Sequence, residues 1–473
     1  MTQPLRAYQT EAIAACYAHF KAGRRRVCLT LPTGAGKTRV AEEVVRHAVA
    51  RGRRVWFLAH RRELINQPYG RFTAAGIPCG VIMADDPRKT NDLCQIASVD
   101  TLIRRELAAP DLVIWDECHH LLSASATKLR AQWPDAWLLG LTATPTRLDG
   151  RGLGDAFDEL VIGARPSQLI ADGFLVPAEV LALVPMDTSG LHVRAGDYVD
   201  SEVEKVVLEA VDDVVRAVMD VAATERTLCF AQTIKHSIIL VERMVAAGLP
   251  AEHVDGTTPA TERDATFKRF ASGVTTIVSN VGIVTEGFDV PDCSCVLLAR
   301  PTQSVSLYLQ MVGRGLRSAP GKTRCLVLDC GSNWKRIGWP TKDREWALTT
   351  TAQEAKKAKD EAAVLMRNCG ACFRVWDGGN PACPYCGWVK PGKPVAVRAR
   401  GRRVITVTQD EMGVASRLDP AIVSHLRWLW VQQARSKYKN GWVLHRFEGK
   451  HGRMPVAEEL LAAGIPWRDS RVN

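Results

Sequence analysis

Between about residues 25 and 335, short continuous apolar runs alternate with amphipathic stretches. Val27–Leu31, Val55–Ala59, Leu112–Trp115 and Trp137–Leu141 predict buried strands, and Thr227–Ala231, Thr276–Ser279, Cys295–Leu298 and Cys325–Leu328 predict a second set. Stretches such as Arg39–Ala50 and Asp212–Ala223 carry a helical period between them. Strands that are apolar on both faces and separated by helices predict parallel α/β sheets. Two sets predict two such domains, with a connector near Leu175–Asp200. The alternation stops after about Trp339. Ala352–Met366, rich in Ala, Lys and Glu, predicts a connecting helix, and Pro420–Tyr438 predicts the one helix of the tail.

Length and composition fit this organisation. The chain has 473 residues, room for about three domains at roughly 150 residues each. No apolar run approaches the ~18 residues that span a bilayer, and Met1–Phe20 lacks the apolar core of a secretory signal. A cytoplasmic protein is expected, nucleoid-associated in a bacterial or phage-infected cell, with no membrane partner. Fourteen cysteines fall into two groups. Ten are scattered, most of them in apolar stretches where they read as small core residues; four cluster at Cys369, Cys372, Cys383 and Cys386. The net charge is +11, which raises a polyanion as partner. Most of that excess lies late in the chain. Residues 387–473 hold 16 Lys+Arg against 7 Asp+Glu, leaving 46 against 44 for residues 1–386.

Two sites of chemistry stand out in the α/β region. Leu31-Pro32-Thr33-Gly34-Ala35-Gly36-Lys37-Thr38 follows an apolar strand and opens a helix. In that context the glycines let backbone N–H groups approach phosphate oxygens, and the helix N-terminus adds partial positive charge. Lys37 reaches the β/γ-phosphates and the Thr38 hydroxyl ligates Mg²⁺. Leu31 stands where the general pattern has glycine. About 80 residues on, Asp116-Glu117-Cys118-His119 ends a hydrophobic strand. Ligands in open α/β sheets bind at the carboxyl ends of strands. Asp116 is then placed to hold Mg²⁺ and Glu117 to polarise an attacking water. His119 is expected to relay nucleotide state.

These residues resemble a superfamily 2 helicase of the DEAD/DEAH type over roughly residues 5–335. Arg6-Ala7-Tyr8-Gln9 resembles the segment ahead of the phosphate loop, where Arg6 and Gln9 would contact the nucleotide and Gln9 would read the adenine edge. His60-Arg61-Arg62 and Ser98 with Thr101 resemble motifs Ia and Ib, which usually touch the nucleic-acid backbone. Thr142-Ala143-Thr144-Pro145 resembles motif III, which couples hydrolysis to strand movement. Cys229–Ala231 resembles motif IV. Thr285 through Pro291 resembles motif V, which implies a nucleic-acid contact for Thr285 and nucleotide contacts for Gly287 and Asp289. Gln310 through Arg317 resembles motif VI, with Gln310, Arg314 and Arg317 as catalytic residues. Thr146–Gly150 and Asp172–Pro177 resemble the XPB-like branch, with its phage and bacterial relatives. The resemblance implies two tandem RecA-like lobes, ATP and Mg²⁺, and an ATP-dependent DNA helicase or translocase, 3′ to 5′, in replication, recombination or repair. An RNA helicase and a DNA-structure adaptor using ATP as a switch remain the alternatives. A guanidinium brought by the second lobe to the γ-phosphate would tie hydrolysis to lobe closure.

The four clustered cysteines read C-x₂-C, ten residues, C-x₂-C, with Asp377–Asn380 as a turn. That spacing suits one tetrahedral Zn²⁺ held by four thiolates in a structural site and resembles a zinc ribbon; unliganded thiols or a redox pair are the alternatives. Trp376, Tyr385 and Trp388 either stack on bases or fill the ribbon's small core. Lys390–Arg403, with six basic residues and no acidic one, reads as a linker or basic strand suited to a nucleic-acid backbone or to a protein partner. The expected division is a first lobe over residues 1–180, a second over 181–345, a helical linker over 346–368, the ribbon over 369–388 and a basic, partly helical module over 389–473.

Overall fold

The computed structural model describes residues 4–60, 63–84, 86–105, 108–147, 150–184, 186–194, 196–284, 292–364, 366–377, 379–390, 395–397, 405–407, 422, 425–426, 428–429, 442–453 and 455. The expected sites Arg61, Arg62, Thr285, Gly287 and Asp289 lie outside them, as does most of the helix expected over Pro420–Tyr438.

Seven strands form the first sheet: β1 (Arg26–Thr30), β2 (Val55–Ala59), β3 (Cys79–Ile82), β4 (Cys94–Ser98), β5 (Leu112–Asp116), β6 (Trp137–Thr142) and β7 (Glu159–Ile162). All are parallel, in the order β3-β4-β2-β5-β6-β1-β7. The central strands β1, β2, β5 and β6 are almost wholly buried, as their unbroken apolar runs require. Register decides what meets at the carboxyl edge. Ala59 pairs with Ser98, Asp116 with Leu141 and Thr30 with Thr142. His60, Asp116, Thr142 and the phosphate loop therefore leave the sheet along one rim.

After β8 (Ala178–Leu181), a short hairpin of β9 (Val193–Arg194) and β10 (Asp197–Tyr198) precedes the rest of the second sheet. That sheet adds β11 (Thr227–Phe230), β12 (Ala251–Val254), β13 (Ile277–Asn280), β14 (Cys295–Leu298) and β15 (Cys325–Asp329). It too is parallel, ordered β12-β13-β11-β14-β15-β8. The position after residue 180 where the lobes were expected to divide falls inside β8. Both sheets belong to one compact unit that runs to Arg367.

Two segments tie the lobes together. Phe174–Val176 leads out of the first lobe and pairs with the second: Leu175 bridges Arg317, and Val176 N–H donates to Leu316 O at 2.8 Å. Beyond β15, the chain turns back onto the first lobe. Asp343 accepts from Ser167, Glu345 pairs with Arg165 at 2.8 Å, and Leu348 and Thr350 carbonyls accept from Gly154 and Gly152 N–H. The helix Ala352–Val364 follows, as its composition predicted.

The second unit, Asn368–Asn473, holds the cysteine cluster. In the basic stretch, Val395–Val397 pairs antiparallel with Ile405–Val407. All ten scattered cysteines are buried and unbridged, in keeping with their reading as core. Among the described residues, no helix is long and apolar enough to cross a membrane.

Candidate active site

The phosphate loop links β1 to the helix Lys37–Val49. Gly34 and Gly36 sit at φ +88° and +83°, left-handed backbone that glycine enters at no steric cost. A Cβ at Gly36 would also lie 2.6 Å from the Gln9 amide. The Ala35 carbonyl accepts from Tyr8 Oη at 2.7 Å and Gln9 Nε2 at 3.0 Å, while Gln9 Oε1 accepts from Arg6 N–H at 3.1 Å. Gln9 therefore fastens the loop from below, and its amide keeps one N–H and one lone pair for a further partner.

A cavity of about 590 Å³ opens over the loop. Its walls carry Arg6, Gln9, Thr33, Gly34, Gly36, Lys37, Thr38, Asp116 and Glu117 from the first lobe and Arg314 and Arg317 from the second. The lobes meet tightly here: a Cβ at Gly313 would lie 2.4 Å from Thr33 Cβ. Ala35 and Pro32 shape the loop without lining this cavity. Arg39 and Arg71 also line it, both held on the buried Glu42 carboxylate at 2.7 and 2.8 Å.

Lys37 Nζ lies 3.6 Å from Glu117 Oε1, both nearly buried. Burial would push the Glu117 carboxyl up, but the Lys37 charge, His119 and the Arg314 guanidinium outweigh it and hold it at about 2. Glu117 Oε2 is buried, and His119 Nδ1 faces it at 3.4 Å. The Glu117 backbone adopts φ 48°, ψ 52°, a left-handed conformation rare outside glycine. Asp116 Oδ1 accepts from Glu117 N–H at 3.1 Å. The Asp116 carboxylate and Thr38 hydroxyl offer the hard oxygen donors that suit Mg²⁺.

From Glu117 a chain of contacts crosses to the second lobe. His119 Nδ1 lies 3.4 Å from Glu117 Oε2 and 3.2 Å from Thr142 Oγ1. Thr142 Oγ1 donates to Thr144 O and accepts from Thr144 N–H. Its one proton is thus committed, so Nδ1 of His119 carries the proton between them. Thr144 Oγ1 then donates to Ser306 Oγ at 2.7 Å, and Gln310 Nε2 lies 3.5 Å from the same oxygen. Arg314 stands one helical turn further along the helix Val305–Gly315. Ser306 escaped the sequence reading, since a serine within a helix carries no pattern; Phe174 was legible only as part of the Asp172–Pro177 stretch, without a place at this cavity.

The residues expected to touch nucleic acid are less uniform. His60 accepts from Trp115 Nε1 at 3.3 Å and its ring lies 5.2 Å from that of His120. Ser98 and Thr101 frame the start of the short helix Val99–Leu102, beside His60 on the same rim.

In the second unit the four sulfurs of Cys369, Cys372, Cys383 and Cys386 lie within 4.8 Å of one another. Cys369–Cys386 and Cys372–Cys383 are 3.5 and 3.7 Å apart, close to the ~3.8 Å edge of a tetrahedron with Zn–S bonds of ~2.3 Å. Backbone N–H groups of Ala371 and Cys372 point at Cys369 Sγ, the knuckle geometry that stabilises a thiolate. The cluster fits a structural zinc, in a ribbon whose core contains buried Trp376 and Trp388 packed beside it; Tyr385 is exposed under Arg374. Metal analysis of the purified chain is expected to find about one zinc per molecule, and Cys372→Ser to lower that content. Full occupancy in the variant would refute the four-thiolate site.

Comparisons with known proteins agree with this geometry. Residues 2–147 match the model described as type III restriction enzyme, res subunit, and residues 208–319 match the helicase conserved C-terminal domain. A 51.5 kDa protein of a Lactococcus phage (isolate 7-9) is 31% identical over 75% of this chain and 76% of its own. A putative mitochondrial ATP-dependent helicase, irc3, of Schizosaccharomyces pombe is 30% identical over 70% of this chain and 58% of its own length. The DNA 3′-5′ translocase XPB2 of Sulfurisphaera tokodaii is 24% identical over 66% of this chain and 78% of its own. With the restriction-enzyme res-subunit and helicase C-terminal models matched in tandem and a phage relative aligned along three quarters of both chains, the protein belongs to the superfamily 2 helicases, a family of ATP-dependent enzymes that includes DNA helicases and translocases.

Proposed function

We propose that the chain is an ATP-dependent DNA helicase or translocase that moves 3′ to 5′. The observation that carries this reading is the unbroken path from Glu117 through His119, Thr142 and Thr144 to Ser306, which joins the water-polarising carboxylate to the helix bearing Arg314. The roles divide as follows. Gly34, Gly36 and Lys37 bind the phosphates. Glu117 takes a proton from the attacking water. Arg314 and Arg317 stabilise charge on the transferring phosphoryl group. Thr38 and Asp116 would hold Mg²⁺, which neutralises phosphate charge. His60, Ser98 and Thr101 contact the strand along the rim. The first lobe ends ahead of β8 and the second runs to about residue 345, followed by a linker over 346–368, the ribbon over 369–388 and a basic module over 389–473. The name of the Sulfurisphaera relative supports both the DNA substrate and the direction.

A strand-displacement assay with ATP tests the reading on duplexes with 3′ or 5′ single-stranded tails. Displacement of the 3′-tailed duplex, and ATPase stimulated more by DNA than by RNA, are expected. Stimulation by RNA alone would make it an RNA helicase. Tight DNA binding with slow hydrolysis and no displacement would favour an adaptor.

A further inference from the structure

The cavity that receives the phosphates has a second end, and part of it is built by the segment joining the lobes. Phe174 lines the cavity. The Arg6 guanidinium carbon lies over its ring, 4.2 Å from the centroid, and the Tyr8 ring centroid is 5.5 Å away. Gln9, with one amide N–H and one lone pair unspent, is the neighbour of both. Aromatic and guanidinium planes next to an amide are the groups that hold a nucleobase by stacking and edge contacts. The backbone of this segment is tied to both lobes: the Phe174 and Leu175 N–H groups donate to Leu169 O of the first lobe at 2.8 and 3.0 Å. Phe174 O accepts from Ser318 Oγ at 3.3 Å, Leu175 bridges Arg317, and Val176 N–H donates to Leu316 O.

We infer that Phe174 is a positioning residue for the nucleotide base: it holds the Arg6 guanidinium flat against the purine, from a linker whose backbone is paired with the Arg317 segment. The inference rests on the ATPase reading above. One consequence is structural. The linker that carries Phe174 beside Arg6 also carries the pairing with Arg317. The phosphates, by contrast, are met by the loop and Lys37.

That asymmetry supplies the test. Steady-state ATPase of the full chain is measured for Phe174→Ala and Phe174→Tyr, with inorganic tripolyphosphate as a competitive inhibitor lacking a base. Phe174→Ala is expected to raise the KM for ATP about tenfold, with kcat held within about twofold and the tripolyphosphate Ki unchanged. Phe174→Tyr is expected to restore KM. An unchanged KM, an equal weakening of tripolyphosphate, or a loss confined to kcat would each overturn the inference. If the unaltered chain hydrolyses no ATP, the ATPase reading itself fails; hydrolysis with an indifferent Phe174→Ala sinks only the role of Phe174.

Discussion

Glu117→Gln is expected to retain ATP binding while hydrolysis falls by roughly two to four orders of magnitude. The substitution keeps the shape of the side chain and removes its capacity to accept a proton. It also removes the charge that Lys37 faces at 3.6 Å, so the ammonium is left to the phosphates and affinity is maintained or raised. The carboxyl is held at about 2 in the fold against 4.5 ordinarily. A depressed value means that pairing with Lys37 contributes fully above about pH 4.5 and is lost as pH falls towards 2. With Lys37 paired to it, Glu117 therefore stays ionised across neutral pH. Equilibrium binding and single-turnover hydrolysis measure the two effects separately. Near-normal turnover in the variant would remove Glu117 from its role.

Arg317→Ala and Arg314→Ala are each expected to cost roughly 10³–10⁵ in kcat, with ATP affinity reduced far less. Both residues come from the second lobe yet line the cavity that holds Lys37 and Asp116. Arg314 is nearly buried, and its charge contributes to holding the Glu117 carboxyl down; its loss is expected to disturb the carboxylate as well as the phosphoryl group. Arg317 lies against Gly34, with its Cγ 3.1 Å from where a Cβ would stand. Turnover and nucleotide binding, measured side by side, decide the matter. Equal losses in both would mean that the arginines only hold the lobes together.

The strands legible in the chain are those buried on both faces. Val55–Ala59 and Cys295–Leu298 occupy their expected bounds, and the other six differ by a residue or so at their ends. The strands that escaped notice include the sheet edges. Cys79–Ile82, Glu159–Ile162, Ala251–Val254 and Ala178–Leu181 each mix polar or half-exposed positions with apolar ones, because an edge strand has solvent on one side. Cys94–Ser98 was hidden by Gln95, whose amide donates to the Thr90 and Asp92 carbonyls. Lys37, Asp116, Glu117, Arg314 and Arg317 each sit in a local pattern that sequence order makes visible, and they line one cavity. Ser306 meets Thr144 across 162 residues, and Phe174 meets Arg6 and Tyr8 from the far end of the first lobe's sequence. No local pattern records such contacts.

The left-handed backbone at Glu117 has an evolutionary reading. A non-glycine residue in that conformation costs of order 1–2 kcal/mol, and glycine or asparagine would be more comfortable there. Selection for thermal stability alone would therefore push this position towards a folded but inert protein. The glutamate brings a carboxylate to Lys37 and His119 that neither glycine nor asparagine would supply, so at position 117 the interests of folding and of chemistry are opposed.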